Sequence, residues 1–421
     1  MDASANRNKS VSLSTIFLTI FIDMLGVGIV IPVIPALFFD AETTIFDPSF
    51  PESSRSILYG LLIASYPFMQ FFGAPVLGAL SDRYGRKPML SASLVGTFIG
   101  YLLFGYAILS KNLVLLFISR MLPGFTGGNI AIILSAVSDV STPETRVKNF
   151  GLVGTAFGLG FILGPAIGGI LADAKLISWF NHATPFWFTA IITFVNLVLV
   201  QWVMGETHPE SARNQHRRVS FFSGFKNLAT SFQLPNLRVI FTVILFWSLG
   251  FTFYTQFFSV YLIQRFGITE SAIGLLFGWI GIWLSLTQGL LVRRLSAKVS
   301  STAIISVSLL ALSLSLALIL LPASIFWFYV VTPLIAIAFG MTSPNMTSLV
   351  STQAGPERQG EILGINQSMQ SIGQMIPPVL GGYFNTLDGR LPLATSAVLV
   401  FISWLFFVFL FRKRKTVTGR Q

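Results

Sequence analysis

Twelve apolar runs, each long enough to cross a bilayer and nearly empty of charge, leave this chain few ways to fold. A hydrocarbon layer of ~30 Å needs ~20 helical residues at a rise of 1.5 Å each. The runs fall at roughly 12–38, 56–79, 88–109, 113–139, 150–172, 184–204, 239–263, 272–292, 301–321, 326–350, 362–385 and 391–411. Without water in the hydrocarbon, every backbone N–H and C=O must be satisfied within the chain, so continuous runs of this length read as helices. The expectation is an all-α membrane protein with twelve transmembrane helices.

Composition agrees. Of 421 residues, 53% are hydrophobic and only 10% charged, against about a quarter charged in a soluble domain. With no cysteine, neither a disulfide framework nor a thiolate metal site can form. The three histidines, His182, His208 and His216, lie in hydrophilic segments, so no metal centre and no cofactor is expected. The net charge of +11 could suggest nucleic acid, but the basic residues sit between apolar runs, where they set membrane topology. A small-residue cleavage site does not follow the first run, which therefore reads as a retained helix rather than a signal peptide.

Lysine and arginine orient the chain. With both termini cytoplasmic, the inner segments hold 21 of the 27 basic residues; the outer ones hold Arg55, Lys111, Lys175, Arg265 and Arg390, and Arg120 lies within a run. The positive-inside rule selects that topology, with the tail Arg412 to Lys415 as the last anchor. The longest hydrophilic segment, 205–238, separates residues 1–204 from 239–421, six runs each. These halves repeat at an offset of 213: Pro143, Glu144, Gly151, Gly160, Pro165, Gly168 and Gly169 meet Pro356, Glu357, Gly364, Gly373, Pro378, Gly381 and Gly382. Two related bundles imply a substrate site near the midplane and access that alternates by rocking.

Two charges lie deep. Asp23 is about eleven residues, or ~16 Å, from the inner end of its run, and Arg120 about seven residues, or ~10 Å, from the outer end of an antiparallel one. Charges at such depth are costly unless paired or facing water, and they usually mark an ion pathway. A carboxylate away from water holds a proton more readily, and one beside a guanidinium less readily. Movement of Arg120 relative to Asp23 would therefore load and release a proton; a purely structural ion pair is the competing reading.

Between the second and third runs stands Gly78-Ala-Leu-Ser-Asp82-Arg83-Tyr-Gly85-Arg86-Lys87-Pro88. Gly85 permits a positive φ, Pro88 suits a first helical turn, and Gly78 would let a neighbour approach. This arrangement resembles the loop signature of the major facilitator superfamily. The resemblance extends over nearly the whole chain, most closely to twelve-helix drug:proton antiporters of the tetracycline-exporter type. It is carried by Asp23-Met-Leu-Gly-Val-Gly-Ile-Val-Ile-Pro32, by Arg120-Met-Leu-Pro-Gly124, and by the antiporter motif Gly158-Leu-Gly160-Phe-Ile-Leu-Gly164-Pro165-Ala-Ile-Gly168-Gly169. It implies two pseudo-symmetric six-helix bundles and a cytoplasmic latch. That latch would pair Arg86 with Asp139 and bring Asp82 to the start of the eleventh helix near Glu361 to Gly364, where a helix dipole favours an acid. Small residues four apart in the antiporter motif pack helices backbone to backbone, and Pro165 favours a kink; the motif reads equally as simple close packing or as a seam against leakage.

For the substrate pocket, Asn366, Gln370 and Gln374 form a polar stripe on the eleventh helix that should face protein or cavity. Tyr254 and Gln256, Asn129, and Trp279 and Trp283 are further candidates. Tetracycline exporters carry a histidine in the eighth helix and a carboxylate in the ninth; here Trp283 to Gln288 has no histidine and 301–321 no charge. A metal–tetracycline cation would find little compensation beyond Asp23. The resemblance thus implies export of a small amphipathic molecule, driven by the proton gradient, by a monomer in the inner membrane with lipid as its surroundings. The alternatives are a dedicated metabolite or siderophore exporter, or an importer or facilitator of the same fold. A membrane-embedded enzyme or a receptor is the reading from a different class; no histidine, cysteine or carboxylate grouping suggests catalysis, and no phosphate-binding Gly-Lys-Ser/Thr loop supports direct ATP drive.

Overall fold

The computed structural model describes residues 2–412 except 41–43, 142, 209, 211–220, 223, 227–228, 230–232, 234–236, 297, 322–323 and 354–358. Most of the central 205–238 segment and the basic tail beyond Arg412 therefore lie outside the described residues.

Among the described residues, twelve helical runs follow one another. They are α1 (Asp2–Phe39), α2 (Glu52–Tyr84), α3 (Arg86–Leu109), α4 and α5 (Leu113–Thr126 and Ile130–Val140), α6 (Pro143–Ala172) and α7 (Thr184–Val203). The second six are α8 (Arg238–Phe266), α9 (Glu270–Leu286) continuing toward the short α10 (Arg293–Ser296), α11 (Ser301–Leu318), α12 (Phe326–Gln353), α13 (Gln359–Leu387) and α14 (Leu391–Phe406). Among the described residues, ten of these runs are long and apolar enough to cross a membrane by themselves. Of the other two, α6 is apolar over Gly158–Ala172, and α13 carries Asn366, Gln370 and Gln374 within its apolar stretch. Large apolar side chains stand exposed along the outside, among them Val114 (69%), Val307 (71%) and Phe326 (76%), a surface that suits lipid rather than water. The protein is a multi-pass membrane protein.

Three of these runs change hydrogen-bond register, which apolar periodicity does not reveal. A 3₁₀ turn, Gly127–Asn129, separates α4 from α5. It follows Pro123, which donates no amide, and contains two glycines, the weakest helix formers after proline. Thr287–Val292 after α9 and Phe407–Arg412 after α14 are π-helical. Elsewhere prolines, including Pro32, Pro67, Pro165, Pro333 and Pro378, sit within uninterrupted helices.

The chain forms two compact units. One contains Met1–Leu37, Ser65–Ser223 and Glu270–Leu275; the other contains Phe38–Ala64, Gly224–Thr269 and Leu276–Gln421. Each unit thus includes a short segment from the opposite half of the sequence.

Glycines build the seams inside each unit. In the first, α6 lies on α1: a Cβ built on Gly160, Gly164 or Gly168 would fall 2.6 Å from Met24 Cβ, 2.6 Å from the Leu25 carbonyl and 2.8 Å from the Ile29 carbonyl. The next face of α6 meets the first turn of α9, where a Cβ on Gly169 would fall 2.6 Å from the Glu270 carbonyl and one on Gly274 2.6 Å from the Pro165 carbonyl. In the second unit α13 receives the start of α2 in the same manner. A Cβ on Gly382 would fall 2.6 Å from the Ser56 carbonyl, and one on Gly60 would collide with the Pro378 carbonyl. Pro165 and Pro378, and Gly169 and Gly382, are the positions that the 213-residue repeat aligns, so the repeat extends to the helix each motif packs against.

These seams predict a contrast in stability. Replacing Gly169 or Gly382 with leucine should lower the melting temperature of the detergent-solubilised protein in both cases, with an overpacking cost of about 1–3 kcal/mol or more. Gly289→Ala, where nothing lies within 4 Å, should leave it within about 0.5 kcal/mol.

Candidate functional site

The seam between α1 and α6 uses Phe21, Met24, Leu25, Gly28 and Ile29, and this fixes the rotation of α1. Asp23 is thereby turned toward the 3₁₀ turn, where Asn129 Nδ2 donates to Asp23 Oδ2 at 2.8 Å. Gly26 faces α3, and the Tyr101 hydroxyl fills the space its Cβ would need. The 3₁₀ turn is itself held from α2: Gln70 Nε2 donates to the Gly127 carbonyl at 3.0 Å, and the Tyr66 hydroxyl lies against Gly127. Helical register changes inside a span often mark such positions, and here the change sets the one amide that meets Asp23.

Arg120 is buried, 8% exposed. Its guanidinium carbon lies 4.8 Å from the centroid of the Tyr66 ring, a cation–π arrangement. Among the described residues Asp23 and Arg120 form no ion pair. They nonetheless share a neighbourhood, since Tyr66, beneath the Arg120 guanidinium, also lies against the 3₁₀ turn whose Asn129 holds Asp23. Asp23, Tyr66, Gln70, Tyr101, Arg120 and Asn129 make a polar cluster within one unit. Asn129, expected in the substrate pocket, hydrogen-bonds to Asp23 in this structure. Tyr66, Gln70 and Tyr101 went unremarked in the sequence because nothing in local spacing links aromatic or amide residues on α2 and α3 to Asp23.

A second cluster gathers where α2 turns into α3. Gly85 has φ 104°, the left-handed region expected of it, and places Arg86 at the start of α3. Arg86 is 5% exposed; its Nε donates to Asp139 Oδ2 at 3.1 Å, its Nη1 to Ser81 Oγ at 2.6 Å, and it pairs with Asp82. The first turn of α3 is capped from afar, as Glu206 accepts from the Arg86 and Lys87 amides at 2.9 and 3.3 Å, where the helix dipole favours an acid. Lys87 Nζ reaches the Gln201 carbonyl at 2.8 Å, and Arg83 stacks over Tyr84. One expectation changes and one falls outside the described residues. Gly78 is not a point of forced approach, since an added Cβ would meet only Ala131 Cβ at an ordinary 3.5 Å. Asp82 pairs with Arg86 in its own unit, while the Glu361 to Gly364 side chains lie outside the described residues. Glu206 was missed because its partners are backbone amides more than a hundred residues away.

In the antiporter motif, Gly160, Gly164, Pro165, Gly168 and Gly169 all take part in close approach, Pro165 through the Gly28 and Gly274 contacts. Gly158 is half-buried. Helix α6 runs unbroken through Pro165.

The other expected pocket residues belong to the second unit. Tyr254 is buried with its ring 5.7 and 5.1 Å from Phe251 and Phe258. The Gln256 carbonyl accepts from the Tyr59 hydroxyl at 2.5 Å. Trp279 Nε1 donates to the Tyr329 carbonyl at 3.0 Å, and its ring meets Trp283 edge-on at 5.8 Å. Along α13 the polar stripe grades outward: Asn366 is buried, Gln370 half-buried and Gln374 exposed, so protein encloses only its first part. A cavity of about 410 Å³ in this unit is lined instead by Glu52, Ser56, Tyr261, Gln264, Asn385 and Arg390 among others.

Comparison with known proteins places these features in a family. The model of the Major Facilitator Superfamily matches residues 16–378. The tetracycline resistance protein, class H, of Pasteurella multocida is 31% identical over 378 residues, 89% of this chain and 88% of its own. Multidrug resistance protein 1 of Bacillus subtilis is 29% identical over 394 residues, 93% and 94% of the two chains. Among solved structures, the human organic anion transporter MFSD10 superposes with a TM-score of 0.73 at 22% identity, covering 95% of this chain and 99% of that one. A D-xylose–proton symporter superposes at 0.77 with 14% identity, covering 96% and 98%; both share the fold. The chain belongs to the Major Facilitator Superfamily and is a transporter by family.

Proposed function

We propose that this transporter exports a small amphipathic, drug-like molecule in exchange for protons. The observation that carries the reading is the arrangement around Asp23, an acid within a membrane span, held by Asn129 while Arg120 rests on Tyr66. A carboxylate whose charged partner has withdrawn is able to take up a proton; return of the guanidinium favours its release. Arg120 thus rests on the Tyr66 ring, whose face attracts a cation, and Asp23 keeps a hydrogen-bond donor in Asn129. The proton binds a carboxylate oxygen of Asp23 from one side of the membrane and leaves to the other as the protein rocks between its two access states. No cofactor or metal is required; the gradient is the driving force.

The relatives named for tetracycline and multidrug resistance support export over import. Against tetracycline itself stand the missing histidine after Trp283 and the uncharged α11, so a general amphipathic substrate fits better. A dedicated exporter of a metabolite or siderophore is the alternative within the same mechanism. The distribution of lysine and arginine supports an inner-membrane protein with both termini cytoplasmic, acting as a monomer. In that orientation the Arg86–Asp139–Asp82 cluster lies on the cytoplasmic face, as a latch released when the cytoplasmic side opens.

Two sets of measurements test this. In liposomes with an imposed pH gradient, screened against a compound panel, Asp23→Asn should abolish proton-driven accumulation while counterflow down a substrate gradient persists; uphill transport by Asp23→Asn sinks the assignment. For the latch, Arg86→Gln and Asp139→Asn should each lower transport several-fold, and the double variant should lose no more than the worse single one, because residues sharing one interaction are not additive. Full additivity would mean that the pair does not act as a unit.

A further inference from the structure

At the Ala172 end of α6, the first turn of α9 is joined to its unit by two contacts of different character. One is the backbone approach of Gly169 to Glu270. The other is a side-chain contact: His182 Nε2 lies 2.6 Å from Glu270 Oε1, with side chains only 17% and 11% exposed. His182 is fixed by its surroundings. It sits between Asn181, whose amide donates to Thr184 Oγ1 at 3.0 Å, and Ala183, whose amide donates to Asn181 Oδ1 at 2.9 Å, so the loop presents the imidazole to α9.

The other seam provides the comparison. Ser56 stands to Gly382 as Glu270 stands to Gly169, each offering its carbonyl to the repeat-related glycine. The clasp there is neutral: Asn385 Nδ2 donates to Ser56 Oγ at 2.8 Å. Of two equivalent seams, one is closed by groups that do not titrate and the other by an imidazole and a carboxylate. From this difference we propose that His182 and Glu270 form a second proton-binding site, separate from Asp23, whose protonation clasps α9 to α6. Its placement on the outer face rests on the orientation proposed above.

The sign follows from the chemistry. Imidazole is the side chain that ordinarily changes charge between about pH 5 and 8. Protonated, His182 makes a charge-assisted bond to the Glu270 carboxylate, about twice as strong as a neutral one; deprotonated, it offers only a neutral hydrogen bond. The other charges nearby are Lys175, which acts on Glu270, and Asp173, whose carboxylate accepts the Lys175 amide at 2.9 Å. Side chains of these types do not ordinarily titrate in that interval, and α7, Thr184–Val203, contributes no charge. Acid outside therefore holds the α6–α9 seam shut. Any movement that separates these helices must break the pair, so outer protons favour closure after release of substrate.

The chain has no cysteine, so spin labels attach only where cysteines are introduced. Ile170 in α6 and Leu275 in α9 are 41% and 57% exposed and suit the double substitution I170C/L275C. The distance between labels would be measured in lipid nanodiscs in the Asp23→Asn background, which removes the first titrating site and keeps this test independent of proton-driven export. A single short distance is expected at about pH 5.5, with a longer component appearing at about pH 8. Adding His182→Gln should abolish the pH dependence, whereas His182→Lys, charged throughout, should keep the short distance at both. The proposal is overturned if the labels show no pH dependence before His182 is changed, or if His182→Gln leaves that dependence intact.

Discussion

Backbone contact between α1 and α6 is the constraint on which the rest of the first unit depends. Inside a membrane, apolar burial does not distinguish a helix neighbour from lipid, so helices associate through close packing and hydrogen bonds. Gly160, Gly164 and Gly168 give α6 a groove one residue deep, and α1 fits it with its Phe21 to Ile29 segment. Once that face is committed, Asp23 has no freedom to turn outward. It meets Asn129, and Gly26 meets Tyr101. The motif associated with antiporters thus positions the acid of α1, far away in sequence but adjacent in space.

The same constraint explains why the repeat is visible where it is. Side chains that face lipid are interchangeable as long as they are apolar, and they drift between the halves. A glycine under a carbonyl has no substitute. Hence Gly169 and Gly382, Pro165 and Pro378 remain aligned while their flanks differ. The clasps beyond the glycines are under looser geometric demands, and there the halves part: Asn385 with Ser56 on one side, His182 with Glu270 on the other.

Much of this was legible from the chain alone. The twelve runs, the positive φ at Gly85 and the meeting of Arg86 with Asp139 follow from hydrophobic length, glycine stereochemistry and a specific motif. Three kinds of feature were not. The 3₁₀ turn at Gly127–Asn129 and the π segments keep the apolar pattern and change only hydrogen bonding, so periodicity passes over them. Glu206 caps α3 through backbone amides, which carry no residue signal. Asn129 and the α13 stripe look alike in sequence, each a polar side chain in a span; only the packing of α1 shows that Asn129 serves Asp23 while Gln374 lies exposed.

In the proposed mechanism Asp23 carries the proton, with Asn129 and Arg120 as its alternating partners. Difference infrared spectroscopy across a pH titration reads that directly, through the carbonyl band of a protonated carboxylic acid. The protein should show such a band growing as the pH falls, absent from Asp23→Asn and moved in frequency by Asn129→Ala, which removes its hydrogen-bond donor. A band that titrates unchanged in Asp23→Asn would place the proton on another acid and contradict the mechanism.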